Sequence, residues 1–325
     1  MKAWRVHEFG PYRDALVWED CPDPELPSPD SSVIDVHAAG VNFPDILFIQ
    51  GEYQIKPPLP FVPGIEAVGT VVEVGSQSKY TIGDRIATTG IGAFGEKMAA
   101  QDSMTFLVPP GMNNVDAAAI RIIYETSYMA IKYKAQMQPG EVLLVHGGAG
   151  GVGTSAIQVG KALGGMVIAT ATGERDIKVC FDTGADHVID WQNEDIVTRV
   201  KELTDGRGAD VIYDPVGGDA FDASTHCINF EGRLIVIGFA SGRIPEIKGH
   251  MILNKNMSVM GFFWTNYLFK RPDLVDDYQD EINRLYLEGK FPPVVSAVLP
   301  MTDLPKSLDM ITNRDAYGKI VLVNE

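Results

Sequence analysis

Hydrophobic and polar residues alternate over much of the first third of the chain. Residues 32–41 place apolar side chains at every second position, which predicts a strand with one buried face. Residues 66–74 predict another strand. Two proline-dense loops, at 22–29 and 57–63, interrupt the pattern. The chain up to about residue 120 is therefore expected to be rich in β-structure.

The spacing changes near residue 115, where stretches with a helical period begin to alternate with short apolar runs. A helix is predicted over 115–133, and amphipathic stretches such as 195–203 predict further helices. The predicted strands after residue 140 lie at 141–146, 166–170, 188–189, 211–214 and 234–238. A helix over 273–287 and a strand over 319–323 complete the pattern. Regular alternation of strand and helix predicts a doubly wound parallel sheet.

A cluster of glycines joins the strand at 141–146 to the helix that follows it. Gly148, Gly150 and Gly153 fit the spacing G-x-G-x-x-G, and a second strand follows the helix, which makes a βαβ unit. Such a turn lets the pyrophosphate of a dinucleotide approach backbone N–H groups, because no side chain stands in the way. The alternative is a glycine-rich turn that binds nothing. The residues expected to contact the cofactor here are Gly148, Ala149, Gly150, Gly151, Val152 and Gly153.

Length, composition and charge limit the classes of protein to which the chain can belong. A chain of 325 residues, 45% of them hydrophobic, suits two globular domains. The formal net charge of −16 argues against nucleic acid or an anionic membrane as a partner. The three cysteines are far apart, so a disulfide framework is not expected. The N-terminus does not read as a signal peptide and no apolar run is long enough to span a bilayer, so we expect a cytoplasmic protein.

Six motifs occur along the chain in one order: GVNFPD at 40–45, GEY at 51–53, PFVPGIE at 60–66, GDR at 83–85, AGGVG at 149–153 and YDPVGG at 213–218. In these motifs the chain resembles the medium-chain dehydrogenase/reductase superfamily, and within it the zinc-free quinone oxidoreductase branch, which is ζ-crystallin-like. The resemblance covers nearly the whole chain.

The resemblance implies an α/β protein of two domains. A GroES-like, β-rich catalytic domain would comprise residues 1–122 and 266–325, and a Rossmann domain with a doubly wound parallel sheet would comprise residues 123–265. It also implies a homodimer joined edge to edge through the Rossmann sheets, at the runs near Ile235 and 257–263. The alternative for the second run is an internal core strand.

Zinc-dependent members of this superfamily carry a cysteine where this chain has Asn42, and G-H-E where it has Gly64-Ile65-Glu66. Neither asparagine nor isoleucine supplies the thiolate or imidazole that zinc needs. The six histidines form no H-x-x-H or H-x-x-x-H pair. We therefore expect no zinc and no other metal.

A reductase without zinc still needs donors that stabilise negative charge on the substrate oxygen, and a proton source. Asn42 and Tyr53 are the candidate catalytic residues. The Asn42 amide would polarise an oxygen or hold the nicotinamide ribose; the alternative is a turn residue bonded to its own backbone. Enoyl reductases that the chain resembles use a tyrosine at the position of Tyr53 as proton donor, although Tyr53 would alternatively line the pocket. Leu47 replaces a second tyrosine of quinone reductases, which favours enone or enoyl substrates.

The resemblance also assigns contacts around the nicotinamide. Tyr124 and Thr126, in a Y-x-T motif, would face the nicotinamide, with helix packing as the alternative. Aromatic residues at strand ends would wall the pocket unless they belong to the core. The remaining expected contacts are Val216, Gly238, Phe239, Phe262 and Trp264.

The strand at 166–170 is not followed by the acidic residue that binds the ribose 2′-hydroxyl of NAD. Thr172 and Gly173 would instead donate to a 2′-phosphate, and Arg175 would pair with it. These residues favour NADPH as the cofactor.

Two acidic residues nearby, Asp176 and Glu174, keep the choice of cofactor open. Asp176 stands where the family's phosphate-binding lysine normally lies, so Lys178 is the expected substitute. Arg314 matches another family position close to the adenosine phosphate. Glu174 would alternatively bind an unphosphorylated ribose, which leaves NADH possible.

The expected function is zinc-independent, NADPH-dependent reduction of quinones or α,β-unsaturated carbonyl compounds by hydride transfer to an activated double bond. The main rival is a protein that binds NADPH without turnover, as a sensor or an abundant crystallin-like protein. A zinc-dependent alcohol dehydrogenase is opposed by Asn42 and Ile65. The expected partners are a small-molecule substrate and a second copy of the chain.

Overall fold

A computed structural model describes residues 1–324. It divides into two compact units, one formed by residues 1–122 with the chain from Val295 onward, the other by residues 123–294. Residues 266–294, which the resemblance assigns to the catalytic domain, pack with the second of these units.

The strands are β1 (Lys2–Val6), β2 (Leu16–Asp20), β3 (Ser31–Val41), β4 (Glu66–Val74), β5 (Arg85–Thr89), β6 (Lys97–Gln101), β7 (Thr105–Leu107), β8 (Val142–Val145), β9 (Met166–Ala171), β10 (His187–Asp190), β11 (Ala209–Asp214), β12 (Ile228–Val236), β13 (Ser258–Gly261), β14 (Val295–Pro300) and β15 (Lys319–Val323). The helices are α1 (Tyr12–Ala15), α2 (Phe43–Gln50), α3 (Asn114–Tyr128), α4 (Gly151–Ala162), α5 (Gly173–Thr183), α6 (Ile196–Leu203), α7 (Gly218–Cys227), α8 (Gly249–Lys255), α9 (Trp264–Lys270), α10 (Pro272–Leu287) and α11 (Leu304–Thr312). A π-helical turn, Met129–Lys134, follows α3, and 3-10 turns lie at Asp102–Met104 and Met301–Asp303. Within residues 1–324, none of the helices has both the length and the hydropathy of a membrane span.

The first unit is built on a sheet with the strand order β14-β15-β3-β4-β5-β7, and β6 also pairs with β3. Antiparallel pairing sets Val41 of β3 opposite Ile320 of β15, and Ala39 of β3 opposite Ala67 of β4. This register brings the end of β3 beside the first residues of both β4 and β15. Side chains from these strands, such as Ile34, form the buried core under them.

The second unit contains a parallel sheet with the strand order β10-β9-β8-β11-β12-β13. Successive strands β8, β9 and β10 are added toward one edge of the sheet, and β11, β12 and β13 toward the other. The direction in which strands are added therefore reverses between β8 and β11. In such sheets, ligands bind at the carboxyl ends of the strands beside the reversal. The predicted doubly wound sheet is confirmed, and the glycine turn lies at this point.

Close packing of α4 on this sheet depends on Gly160. A Cβ at this position would lie 2.6 Å from Leu143 Cδ2 and 2.8 Å from Val167 Cγ2. Both neighbours are fully buried, so neither side chain has free space to move into. Glycine therefore sets the distance between α4 and strands β8 and β9.

Residues after β13 join the second unit through an aromatic and ionic contact. The Tyr128 ring at the end of α3 lies 5.7 Å, centroid to centroid, from both Tyr278 and Phe291. Lys132 Nζ, in the π-helical turn, lies 2.6 Å from Glu281 Oε1. These contacts place α10 in the second unit.

We predict that Gly160→Val lowers the free energy of unfolding by roughly 1–3 kcal/mol, the usual cost of overpacking a filled core. Urea unfolding followed by circular dichroism measures this change. Gly249→Val is the control, because a Cβ at Gly249 in α8 meets no atom within 4 Å. Equal stabilities for the two variants would show that Gly160 does not set the packing distance.

Candidate active site

The glycine turn between β8 and α4 is packed tightly on its inner side and open on its outer side. A Cβ at Gly148 would lie 2.8 Å from Ala169 Cβ, and one at Gly153 would lie 2.1 Å from the carbonyl oxygen of Gly147. At Gly150, by contrast, that same oxygen would be the nearest atom at 3.4 Å, and Gly150 is exposed. Backbone at the outer side can therefore be approached closely by a ligand.

Helix α4 begins at Gly151, directly after this turn. Its N-cap, Gly150, has no side chain to accept from the first-turn N–H groups. These donors, with the positive end of the helix dipole, are suited to an anion such as a pyrophosphate. Ala149 is buried within the turn and Val152 is half-buried at the start of the helix. The residues present thus fit the diphosphate of a dinucleotide.

The carboxyl end of β9 offers a second set of polar groups. Thr172 caps α5 without a side-chain hydrogen bond, and its Oγ1 is buried with no partner among residues 1–324. Gly173 follows with a φ of 75°. Arg175 Nε lies 2.8 Å from Asp176 Oδ1, and Lys178 pairs with Asp182 one turn further along α5. A ribose or its 2′-phosphate would thus meet the Thr172 hydroxyl and the start of α5, with Arg175 already beside an acid.

Loops after β11 and β12 are held by Asp214, which is buried at the end of β11. Its Oδ1 accepts hydrogen bonds from Val216 N at 2.9 Å and Gly217 N at 2.8 Å. Its carbonyl oxygen accepts from Gly238 N at 3.4 Å. Phe239 follows and is 40% exposed. Val216, Gly238 and Phe239, all predicted as cofactor contacts, therefore lie together at the carboxyl edge of the sheet.

Four other predicted contacts are buried inside the second unit. Tyr124 donates its hydroxyl to Gln158 Oε1 at 2.6 Å, and Trp264 donates its indole N–H to Glu125 Oε2 at 2.6 Å. Thr126 is 8% exposed. The polar atoms of Tyr124 and Trp264 are thus engaged in packing between helices.

Phe262 is also buried, and its ring stacks on Tyr267 at 5.0 Å between centroids. Arg314, the remaining predicted contact, is exposed after α11 in the first unit, with a φ of 61°. Packing within the second unit accounts for Phe262 without a ligand. The roles of these residues toward a cofactor stay predictions.

In the first unit, three strand ends bring together a buried polar cluster. Asn42 follows β3, Glu66 begins β4 and Lys319 begins β15. Lys319 Nζ donates to Asn42 Oδ1 at 2.7 Å, to the Val41 carbonyl at 3.1 Å and also to Glu66 Oε1. Asn42 Nδ2 donates to Glu66 Oε1 at 2.8 Å. Lys319 and Glu66 are only 3% and 2% exposed, so we name these three residues the buried cluster.

The buried cluster uses nearly all of its own hydrogen-bonding capacity. The three Lys319 donors have three acceptors, and Asn42 Nδ2 also donates to the Gly40 carbonyl at 3.3 Å. Sequence reasoning did not select Lys319. The available signal was a single lysine at the start of an otherwise apolar strand, because a buried lysine requires a partner.

Asp45 lies on α2 and contacts Asn42 of this cluster, and Tyr53 follows just after the end of α2. Asp45 Oδ2 accepts from Asn42 N at 2.7 Å, while Oδ1 has no hydrogen-bond partner among residues 1–324. Burial raises the pKa of the Asp45 carboxyl to about 8, although the Asn42 N–H opposes the shift. The acid is therefore largely protonated at neutral pH.

Tyr53 is half-buried, and its ring lies 4.3 Å from that of Phe48, centroid to centroid. Burial, and to a smaller extent the Asp45 carboxyl, raises the pKa of the Tyr53 hydroxyl above its usual value near 10. The phenol is thus protonated at neutral pH. A protonated phenol is able to donate a hydrogen bond or a proton.

Family models match both units of the chain. Residues 28–110 match the alcohol dehydrogenase GroES-like domain, and residues 151–285 match the zinc-binding dehydrogenase domain. Quinone oxidoreductase-like protein 2 homolog of Nematostella vectensis is 37% identical over 89% of this chain and 80% of its own length.

Two solved structures are similar over nearly the full length. A probable oxidoreductase from Mycobacterium abscessus has a TM-score of 0.89 and 35% identity, covering 99% of this chain and 98% of that one. Escherichia coli quinone oxidoreductase complexed with NADPH has a TM-score of 0.92 and 27% identity, covering 99% of this chain and 100% of that one. The predicted GroES-like and Rossmann architecture is confirmed. The chain therefore belongs to the medium-chain dehydrogenase/reductase superfamily, in its quinone oxidoreductase-like branch.

Proposed function

We propose that this oxidoreductase uses NADPH to reduce quinones or α,β-unsaturated carbonyl compounds, and that it does so without zinc. The observation that carries the proposal is the buried cluster of Asn42, Glu66 and Lys319, which puts an ammonium group where zinc-dependent relatives would need ligands. The open glycine turn and the NADPH complex of the E. coli relative support the cofactor.

Zinc does not fit the residues present. The matching family model is described as a zinc-binding dehydrogenase, yet Asn42 and Ile65 supply neither thiolate nor imidazole. Glu66 already pairs with the Lys319 ammonium, whose positive charge would repel a divalent cation. Across residues 1–324, no group of three or more His, Cys, Asp or Glu side chains is arranged to hold a metal. Alcohol oxidation through a zinc-bound alkoxide is therefore not the proposed reaction.

Held at the glycine turn before α4, NADPH would supply the hydride that adds to the substrate double bond, and negative charge would then grow on the substrate oxygen. In the proposal, the Tyr53 hydroxyl donates a hydrogen bond to that oxygen and then a proton. The buried cluster holds Asn42 and the start of α2, and through them it orients Tyr53. Asn42, predicted as a direct donor, acts in this proposal through its contacts with Lys319 and Glu66. Leu47 on α2 leaves the pocket more apolar, which favours enones over quinones.

We further propose a cytoplasmic homodimer. Strand β13 is an edge strand of the parallel sheet, paired on one side with β12. An unpaired edge has free N–H and C=O groups, so it is suited to pair with the same strand of a second chain.

We predict that the purified protein oxidises NADPH in the presence of an enal, an enoyl thioester or a simple quinone, and oxidises NADH more slowly. Loss of NADPH absorbance measures the rate, and prior dialysis against a chelator is expected to leave it unchanged. Tight binding of NADPH without turnover on any of these substrates would favour the non-catalytic rival. Loss of activity with the chelator would restore the zinc hypothesis.

We predict that Tyr53→Phe lowers kcat by about 10²-fold or more, the usual contribution of a general acid. The dissociation constant of NADPH should change less than twofold. The control is Tyr12→Phe, which removes a phenol that donates to Asp309 Oδ1 at 2.7 Å between α1 and α11. A normal kcat for Tyr53→Phe would make Tyr53 a lining residue.

We predict that Gly151→Asp abolishes NADPH binding, because its carboxylate would face the pyrophosphate at the start of α4. Titration of NADPH fluorescence measures the affinity. Gly249→Asp places the same charge at the start of α8 and should bind NADPH normally. Unchanged affinity in Gly151→Asp would refute the placement of the pyrophosphate.

A further inference from the structure

His146 is a fully buried histidine that the proposed reaction does not use. It directly follows β8, at the point where the parallel sheet reverses its strand order. Thr170 near the end of β9 and Ser224 in α7 contact its two ring nitrogens, and both are buried. Burying an imidazole costs free energy unless both ring nitrogens are hydrogen-bonded, and both are bonded here.

The hydrogen-bond directions around His146 follow from its neighbours. Ser224 Oγ lies 2.8 Å from the Ala220 carbonyl, which only accepts, so the hydroxyl proton goes there. Ser224 Oγ must then accept from His146 Nε2 at 2.8 Å. Nδ1 is left as the acceptor for the Thr170 hydroxyl at 3.2 Å. Finally, Thr170 Oγ1 accepts from the backbone N–H of Gly147 at 3.2 Å.

These bonds form one chain from the glycine turn to α7, which we name the His146 relay: Gly147 N–H, Thr170, His146, Ser224 and the Ala220 carbonyl. The relay requires a neutral ring with its proton on Nε2. Burial lowers the pKa of His146, against the opposing charge of Asp214, which agrees with a neutral ring. A second proton on Nδ1 would point at a hydroxyl whose own proton already points at Nδ1.

The segments joined by the relay carry the expected cofactor contacts of the second unit. Gly147 opens the glycine turn, and Thr170 lies two residues before Thr172. Helix α7 begins directly after the loop that contains Val216. The backbone N–H of Val216 donates to Asp214 Oδ1 at 2.9 Å. Backbone donors that are already held in place lose little freedom when a ligand binds. Loosening or displacing them therefore weakens binding.

We propose that His146 is a positioning residue for the cofactor, which holds the glycine turn and helix α7 in the spacing that NADPH requires. This inference rests on the proposed NADPH dependence. It predicts that the relay can be weakened at Thr170 without touching any residue expected to contact the cofactor.

The test compares Thr170→Val with Thr170→Ser. Valine has nearly the shape of threonine but neither accepts from Gly147 nor donates to His146, so it should raise the dissociation constant of NADPH about tenfold. It should also raise the KM for NADPH while kcat changes less than twofold. Serine keeps the hydroxyl and should restore the affinity to within twofold of the parent.

Thr225→Val is the matched control, because it removes a buried hydroxyl of α7 that donates to the Asp222 carbonyl outside the relay. It is expected to bind NADPH like the parent. If Thr170→Val does not fold, Ser224→Ala breaks the relay at its other end and should also weaken binding severalfold. Melting temperatures measured alongside separate lost stability from lost affinity.

The outcomes distinguish this inference from the proposed function. A parent protein that does not bind NADPH would overturn the proposed function itself. A parent that binds, with Thr170→Val showing a lower melting temperature but an unchanged dissociation constant, would make the relay purely structural. Weakened binding in both Thr170→Val and Ser224→Ala, with Thr170→Ser and Thr225→Val normal, would support His146 as a positioning residue, because His146 is the link between the two hydroxyls.

Discussion

The ion pair between Lys319 and Glu66 is the interaction on which the first unit depends. Its partners are 253 positions apart in the chain and almost fully buried. A buried charge left without its partner typically costs about 3–5 kcal/mol, so neither residue is tolerated alone. Because Lys319 also donates to Asn42, the pair fixes the start of α2 and with it Asp45. The return of the chain to the first unit as β15 thus completes the polar cluster as well as the sheet.

Both units hold buried polar groups at the ends of strands, but the interactions that stabilise these groups differ. The first unit compensates charge with charge, because an ammonium and a carboxylate neutralise each other where water is excluded. The second unit holds these groups without an ion pair: the Asp214 carboxyl bonds to backbone N–H groups, glycines leave room for a ligand, and hydroxyls such as that of Ser224 each donate their single proton to one acceptor. Neutral bonds of this kind are individually weak, so their geometry depends on all members being present.

Local patterns in the sequence were sufficient for the architecture. Period and glycine spacing predicted β8, the turn and α4, and the short apolar runs predicted the parallel sheet, because these features depend on neighbours a few residues away. The resemblance in motifs correctly indicated the family. Tyr53 was selected through its motif, and its raised pKa is consistent with the proposed donor.

Features that depend on distant pairing were not accessible in the same way. Lys319 reaches Asn42 only because β15 pairs with β3, and the spacing of residues along the sequence does not reveal this pairing. Tyr124 and Trp264 carry polar atoms that suit a cofactor. In the fold, however, these atoms donate hydrogen bonds to Gln158 and Glu125. The helix at 273–287 was found from its apolar face, yet the unit that this face packs against depends on Tyr128 and Lys132.

The Asp45 carboxyl contributes uptake of a proton to the folding of this protein. In the unfolded chain an aspartate has a pKa near 3.9, whereas burial raises that of Asp45 to about 8. Between those values the folded chain keeps a proton that the unfolded chain releases. Each unit of rising pH in this window then moves the folding equilibrium toward the unfolded chain, by up to about tenfold from this carboxyl alone. Mild acid therefore strengthens the fold around α2, and alkaline solution weakens it.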